Sequence, residues 1–555
     1  MAGRFIRNFL NGQHFIHKIR PVQTVRLTFL HQCIKNECPP VAVLSFGARM
    51  ASSSSNRPNN RSKLLNDYHN NRADNLQLPD LGKHVVEFAQ DPRGSSFIEQ
   101  KLERASPTEK TQLVDELRGH VLTLALHKNG CHVILTALKS VDKASQIEII
   151  NEISPQVTLL SLHEYGSWVI QRLLEHCTEQ QKRPVLEQLH DNVLSLATDK
   201  HGSYVIEHVL EHGLPEDRER IVRSLLENIT SLSVHQHGSR VIRCVLEHCA
   251  RLQKRPVLEQ LHGNVLSLAT DQYGSFVISH VLEHGRLKDR ERIVRSMLEN
   301  INSLPFHQYG SWVIRRLLEH CMEQQKRPVL EQLHENVLTL ATDKYGSLVI
   351  RHVLEHELFE DRERIAGILH ENLFTLVTDQ YGCYVISHVL EHGLPEDRER
   401  IAGIMHENLF TLVTDKYGNY VIQLVIEHGR PEDRERIVRS LQGDILKNAH
   451  HKSICSIIEK CLVFGTPEQR NALIDQVCAD YGSGSPPLLK MMKYPFANKV
   501  VQKMLNVVDP ARRQKMMFAI KTAPIKNAAN RSQESLKQKS GRLSPDKKKK
   551  KPNNG

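Results

Sequence analysis

Three side chains recur together along this chain. Asn419, Tyr420 and Gln423 stand one, two and five places after Gly418. The same glycine returns at 94, 130, 166, 202, 238, 274, 310, 346 and 382, every 36 residues, each with its own version of the trio. The first member is Ser95, Cys131, Ser167, Ser203, Ser239, Ser275, Ser311, Ser347, Cys383 and Asn419, continued by Cys455 and Asn498. The third is Glu99, Leu135, Gln171, Glu207, Arg243, Ser279, Arg315, Arg351, Ser387, Gln423, Glu459 and Gln502. Residues four apart share one face of a helix, a turn from each other. Polar pairs so placed are suited to bonding the edge of a flat base. The middle member is Ser96, His132, Trp168, Tyr204, Arg240, Phe276, Trp312, Leu348, Tyr384, Tyr420, Ser456 or Lys499, and both tryptophans of the chain fall in this slot. Flat or cationic groups at a regular interval suit stacking on unstacked bases, at about 1–3 kcal/mol each. A core position would not accept Arg240, Ser96 and Lys499 beside the aromatics. The tyrosines before the glycine (Tyr309, Tyr345, Tyr417) and the Val-Ile pairs, such as Val421-Ile422, read as structural.

Such self-similarity requires an array in which each unit buries its apolar face against its neighbours. In one unit, 192–198 predicts a short first helix and 202–212 a second. Gly213 suits a left-handed position past the helix end. Pro215 opens a third helix with Glu216 and Asp217 in its first turn, and Ile221, Val222, Leu225 and Leu226 form its apolar stripe. The fold is therefore all-α, with three helices in each of about twelve units. A longer period overlies the first: Lys-Arg-Pro-Val-Leu-Glu-Gln-Leu-His starts at 182, 254 and 326, every 72 residues, as if two-unit blocks had been duplicated. The last units are less regular. Ile454 replaces the glycine, and Asn498 follows Cys455 by 43 residues across a Gly482–Pro487 stretch.

At 555 residues the chain exceeds one ordinary core. No apolar run reaches the roughly 18–20 residues of a membrane span. Eleven scattered cysteines form no disulfide framework and suggest a reducing compartment. The formal charge of +11 sits in the tails: 1–64 carries +9 and 524–555 carries +8, leaving 65–523 at −6. Any basic ligand-facing surface must arise from sorting charges between faces. Residues 1–80 read as a basic leader and linker, with 51–75 of low complexity. The acid-free, Arg-bearing 1–36 has some character of a mitochondrial transit peptide, against which stands its lack of serine. The tail 524–555 ends in Lys547–Lys551, a solvated run or a nuclear signal.

The repeats resemble those of the Pumilio (PUF) family across about 81–520, and 469–478 and 500–504 resemble the C-terminal part of that domain. The resemblance implies a right-handed, crescent-shaped, armadillo-like α-solenoid that binds single-stranded RNA as a monomer. One base would be read per repeat, with the strand antiparallel to the protein. It implies uridine for Asn498/Gln502 and Asn419/Gln423, and guanine for Cys455/Glu459, so that the target opens 5′ U-G-U. Cys383/Ser387 and Ser167/Gln171 would take adenine. Ser347/Arg351, Ser311/Arg315 and Ser239/Arg243 would take cytosine, and Ser203/Glu207 and Ser95/Glu99 guanine. Ser275/Ser279 and Cys131/Leu135 fit no rule. Stacking falls to Tyr420, Tyr384, Trp312, Phe276, Arg240, Tyr204, Trp168, His132 and Lys499. The family usually has eight repeats; this chain has about twelve, and Leu348, Ser96 and Ser456 depart from the stacking pattern. The implied role is control of messenger RNA translation or stability through 3′ untranslated regions in the cytoplasm, with recruited protein effectors. A nuclear or nucleolar relative that processes ribosomal RNA with little sequence reading is one alternative, and a protein-binding solenoid scaffold another. No enzyme signature, cofactor or metal site is expected. The adjacent pairs His176-Cys177, His248-Cys249 and His320-Cys321 lack the spacing of structural zinc ligands and belong at helix ends, where histidine can meet the last carbonyls. The repeated Asp-Arg-Glu-Arg reads as a solvated, salt-bridged face.

Overall fold

The computed structural model describes residues 61–73, 75–441, 449–479 and 486–521. The leader, most of the Gly482–Pro487 stretch and the Lys-rich tail lie outside them. The described residues form a run of helices that repeats the expected unit, an all-α solenoid. Twelve second helices stand in order, from Pro92–Arg104 to Pro495–Val507. In the unit read above, the three helices are Val193–Thr198, Gly202–His212 and Pro215–Leu225.

Every unit spends its apolar residues the same way. Val205, Ile206, Val209 and Leu210 of the second helix are buried against Leu196 and Ala197 of the first and Ile221, Val222 and Leu225 of the third. Their counterparts in neighbouring units join one continuous core along the array. Burying side chains of this size contributes about 1.5–3 kcal/mol each.

The glycine at the start of ten of these second helices is there for proximity. A Cβ on Gly166 would lie 2.6 Å from the Leu160 carbonyl oxygen, and one on Gly346 would lie 2.7 Å from that of Leu340. The first helix thus rests directly on the start of the second. The N-terminus of the second helix is capped from three residues before the glycine. The Asp199 carboxylate accepts from the N–H groups of His201 and Gly202 at 2.7 and 2.8 Å. Asp343 and Asp415 repeat this, and in other units His Nδ1, as in His163, takes the place of the carboxylate. Two otherwise orphaned donors are satisfied in each case.

Four expectations need correction. Gly213 has φ −70° and ψ 170°, an extended conformation open to any residue, and Cys177, Cys249 and Glu357 occupy the equivalent position. The unit around Phe306 replaces its first helix by a single 3-10 turn, Leu304–Phe306, because Pro305 lacks the N–H that an α-turn needs. The stretch read as linker contains a helix, Lys63–His69. Its Leu65 is buried, Tyr68 packs on Phe88 and Phe97, and His69 and Arg61 both reach Asp91. This helix thus packs on the first described unit. Finally, the leading arginine of Asp-Arg-Glu-Arg turns inward. Arg218, Arg290, Arg398 and Arg434 donate to carbonyls at the end of the preceding second helix. The second arginine keeps to the expected exposed face, at Arg220, Arg292, Arg364, Arg400 and Arg436.

Candidate nucleic-acid interface

The second helices lie side by side, so one trio follows another along a single face. The middle residues show this directly. Phe276 and Trp312, from successive units, meet edge to face at 5.3 Å, and His132 and Trp168 are 6.2 Å apart. The Arg240 guanidinium lies 4.3 Å from the Tyr204 ring centre. Trp168, Tyr204, Phe276, Tyr384 and Tyr420 are each more than 40% exposed, a costly display for large apolar groups unless something covers them. Trp312 and His132 are partly buried, Trp312 against the core. Leu348 is partly buried, and Ser96 and Lys499 are exposed. The Ser456 hydroxyl turns back on the Lys452 carbonyl.

The first members of the trios sit deeper than their sequence pattern suggests. Ser95, Cys131, Ser167, Ser203, Ser239, Ser275, Ser311, Ser347, Cys383 and Cys455 are buried. In the serines from 167 to 347 the hydroxyl donates to the carbonyl three residues back, at 3.0 to 3.3 Å. The thiols of Cys131 and Cys383 do the same, and that of Cys455 donates to Ala449. Ser95 donates to Pro92. Only the hydroxyl lone pairs remain for a ligand. Asn419 and Asn498 are half-buried, and the Asn419 amide nitrogen donates back to the Asp415 and Lys416 carbonyls, leaving its oxygen to accept.

Most of the third members stand higher. Gln423 donates to the side-chain oxygen of Asn419 at 3.2 Å, and Gln171 to the backbone oxygen of Ser167. Arg243, Arg315 and Arg351 are half-buried, with Nε atoms that have no hydrogen-bond partner. Burial lowers the pKa of all three guanidiniums, and an unpaired buried donor of this kind calls for an acceptor. Glu99 and Glu207 have their carboxyl pKa raised, chiefly by burial. Glu207 also accepts from Arg240 at 2.9 Å, leaving its other oxygen buried and unpaired. Glu459 is exposed and pairs with Lys503 of the next unit at 2.7 Å. Ser279 and Ser387 are buried, the latter bonded to the Cys383 carbonyl at 2.6 Å; Gln502 is exposed and Leu135 half-buried.

The pattern of trios does not show a set of charges one place after the third member. Arg316 pairs with Glu283 of the preceding unit at 2.8 Å, and Lys460 pairs with Glu427 in the same way. Their signal is a basic residue six places after the glycine slot, facing a glutamate 33 residues earlier. The carbonyls of His248 and His320, at the ends of their helices, are met by Arg218 and Arg290 rather than by imidazoles.

A model of the Pumilio-family RNA binding repeat matches ten segments: 84–118, 120–154, 156–190, 192–226, 306–334, 336–370, 372–405, 408–441, 455–478 and 488–520. A NOP9-like PUF repeat domain matches 226–312 between them. Pumilio homolog 2 of Xenopus laevis is 58% identical over 60 residues, 11% of this chain and 5% of that protein. The maternal protein pumilio of Drosophila melanogaster is 56% identical over 57 residues, 10% of this chain and 4% of that protein. The chain therefore aligns with only a small part of the length of these relatives. Among solved structures, PUF-8 in complex with PBE-RNA superposes with TM-score 0.55 at 26% identity, covering 59% of this chain and 98% of that one. The Puf3 RNA binding domain bound to a Cox17 RNA 3′ UTR site gives 0.51 at 25% identity, covering 57% and 96%. The repeat model alone accounts for more than half of the chain, which belongs to the Pumilio family of RNA-binding repeat proteins.

Proposed function

We propose that this protein binds single-stranded RNA in a sequence-selective way through the face of its second helices, and that it regulates messenger RNAs carrying a 5′ U-G-U element in their 3′ untranslated regions. The observation that carries the reading is the row of exposed rings along successive units, each beside a polar pair. Stacking supplies affinity without regard to sequence, and the pairs add edge contacts that differ from unit to unit. The unpartnered Nε atoms of Arg243, Arg315 and Arg351 are donors of the kind that base or phosphate oxygens satisfy. PUF-8 and Puf3, similar over nearly their whole solved chains, are bound to RNA in their structures. Cytoplasmic action through recruited effectors is part of the same proposal.

Selection of bound RNAs from a random pool tests it most directly. The expected consensus opens U-G-U, and Asn419→Ala with Gln423→Ala removes the preference at its third base. Loss of about 1–3 kcal/mol for uridine at that base, against little change for the other three, is the expected size for two neutral hydrogen bonds. Equal losses for all four bases would overturn the register.

A second reading, RNA binding with little sequence discrimination, draws support from one junction. At Glu207 and Arg240 the group that would read a base and one that would stack on it are engaged with each other. A pool that returns no consensus, with binding retained, would favour it.

A further inference from the structure

We propose that Glu211, Cys244 and His248 form a zinc site that joins two adjacent units. Glu211 comes from the second helix Gly202–His212, and Cys244 and His248 from the next, Gly238–His248. One ligand atom from each lies within 4.8 Å of the others. Cys244 and His248 are four residues apart and so share a helix face. Cys244 is buried and Glu211 exposed.

The backbone under the site is already fixed. One guanidinium, that of Arg218, donates to the His248 carbonyl at 3.1 Å and to the Glu211 carbonyl at 2.8 Å. It ties together the two helix ends that carry two of the three ligands. Two of the equivalent junctions show one use of this place in the unit. Opposite Glu283 stands Arg316, and opposite Glu427 stands Lys460, each paired with its carboxylate. Opposite Glu211 the same slot holds an uncharged thiol, which donates weakly to the Glu207 carbonyl at 3.7 Å. A divalent ion would bring to this junction the positive charge that a side chain supplies at those two, whereas His208, His280, His352, His388 and Leu424 fill the same slot in other units.

The donor set selects the metal. Thiolate, imidazole and carboxylate suit zinc, whereas calcium and magnesium prefer oxygen alone. Glu247, whose carboxylate lies 3.9 Å from His248 Nε2, or a water would complete four-coordination. Binding replaces the S–H bond of Cys244 by an S–Zn bond and releases the proton to solvent. Also near the site are Glu207, whose carboxylate is held by Arg240, and His212, 3.5 Å from Glu211. Spacing along the chain does not show the site, because its ligands come from two units. Cys249, adjacent to His248, is not among them.

The test uses the full chain, stripped with a chelator and titrated with cobalt(II). One equivalent should bind, giving a thiolate-to-cobalt charge-transfer band and the visible bands of a tetrahedral ion, both removed by added zinc. Cys244→Ser and His248→Ala should lose the charge-transfer band or its tetrahedral partner, while Cys249→Ser keeps both. Glu211→Gln, the mildest change, should weaken cobalt binding about tenfold or more. Zinc should raise the unfolding temperature of the wild type and leave that of Cys244→Ser unchanged. Absence of the band, its persistence in Cys244→Ser, or its equal loss in Cys249→Ser would overturn the site. None of these readouts requires RNA, so failure here leaves the RNA reading untouched.

Discussion

Two junctions between second helices use the same backbone in opposite ways. Around Gly418, the polar pair is satisfied within its own unit: Gln423 donates to Asn419, and Tyr420 is 43% exposed beside them. Between the units of Gly202 and Gly238, the polar groups are satisfied across the boundary. Arg240 covers the Tyr204 ring and bonds Glu207. An incoming base at the first junction exchanges weak neutral bonds of the kind it makes itself. At the second it must displace a half-buried ion pair, whose disruption leaves a desolvated charge. The trio's positions can therefore present an available surface or an engaged one, depending on the residues that fill them and on the neighbouring unit.

The largest expected effect is on the available side. Tyr420→Ala should weaken RNA binding by roughly 1–3 kcal/mol, about ten- to a hundredfold, as measured by fluorescence anisotropy with a U-G-U strand. A loss under twofold would remove Tyr420 from the stacking row. Next, the two regions should separate in acid. The slot that holds Leu424 in the Gly418 unit holds buried or half-buried His208, His280, His352 and His388 in others. Burial lowers the pKa of these imidazoles, to about 4 for His280 and His352 from an ordinary 6.5. Because the folded pKa lies below the unfolded one, each contributes stability that is present above about 6.5 and lost as pH falls toward 4. Hydrogen exchange followed by mass spectrometry should show the His-bearing units opening first over that range, with the Gly418 unit lagging. Uniform opening would contradict the assignment. His280→Leu should flatten the local pH dependence.

A smaller effect is expected at the engaged junction. Arg240→Ala should change RNA affinity by less than about fivefold, since its stacking surface is already committed to Tyr204, and a loss equal to that of Tyr420→Ala would erase the contrast. Smallest of all, Arg240→Tyr should sharpen selectivity for guanine opposite Ser203 and Glu207 by about threefold, the release of one charge-assisted bond being offset by the buried carboxylate left behind. Competition between strands differing at that base measures it.

Much of this was legible in the sequence because the repeat averages out local noise. The 36-residue period, Pro215 at the start of a third helix and the Val-Ile pairs each have one physical reading, and all agree. What escaped depends on neighbours in space. Nothing local distinguishes a surface Ser203 from a buried one that bonds the Lys200 carbonyl. Arg218 looks like a surface partner for the acids beside it, yet the carbonyls of Glu211 and His248 lie closer to its place in the fold. Gly213 resembles a helix-ending glycine until its slot is compared with Cys177 and Cys249, whose side chains show that no special conformation is needed. The helix Lys63–His69 is hidden by polar surroundings, because only Leu64, Leu65 and Tyr68 carry its packing.

The glycine near the start of ten of the twelve second helices gives those joints of the array a set thickness. At Gly166 the Leu160 backbone leaves no room for even one methyl group. Gly166→Ala would have to wedge the two helices apart, and since each unit touches only its neighbours, nothing further along would correct the error. A tilt at one hinge would swing every later unit as a boom swings on its pivot. The spacing of distant rings would drift out of step with an evenly spaced strand, although no residue that faces the strand had been altered.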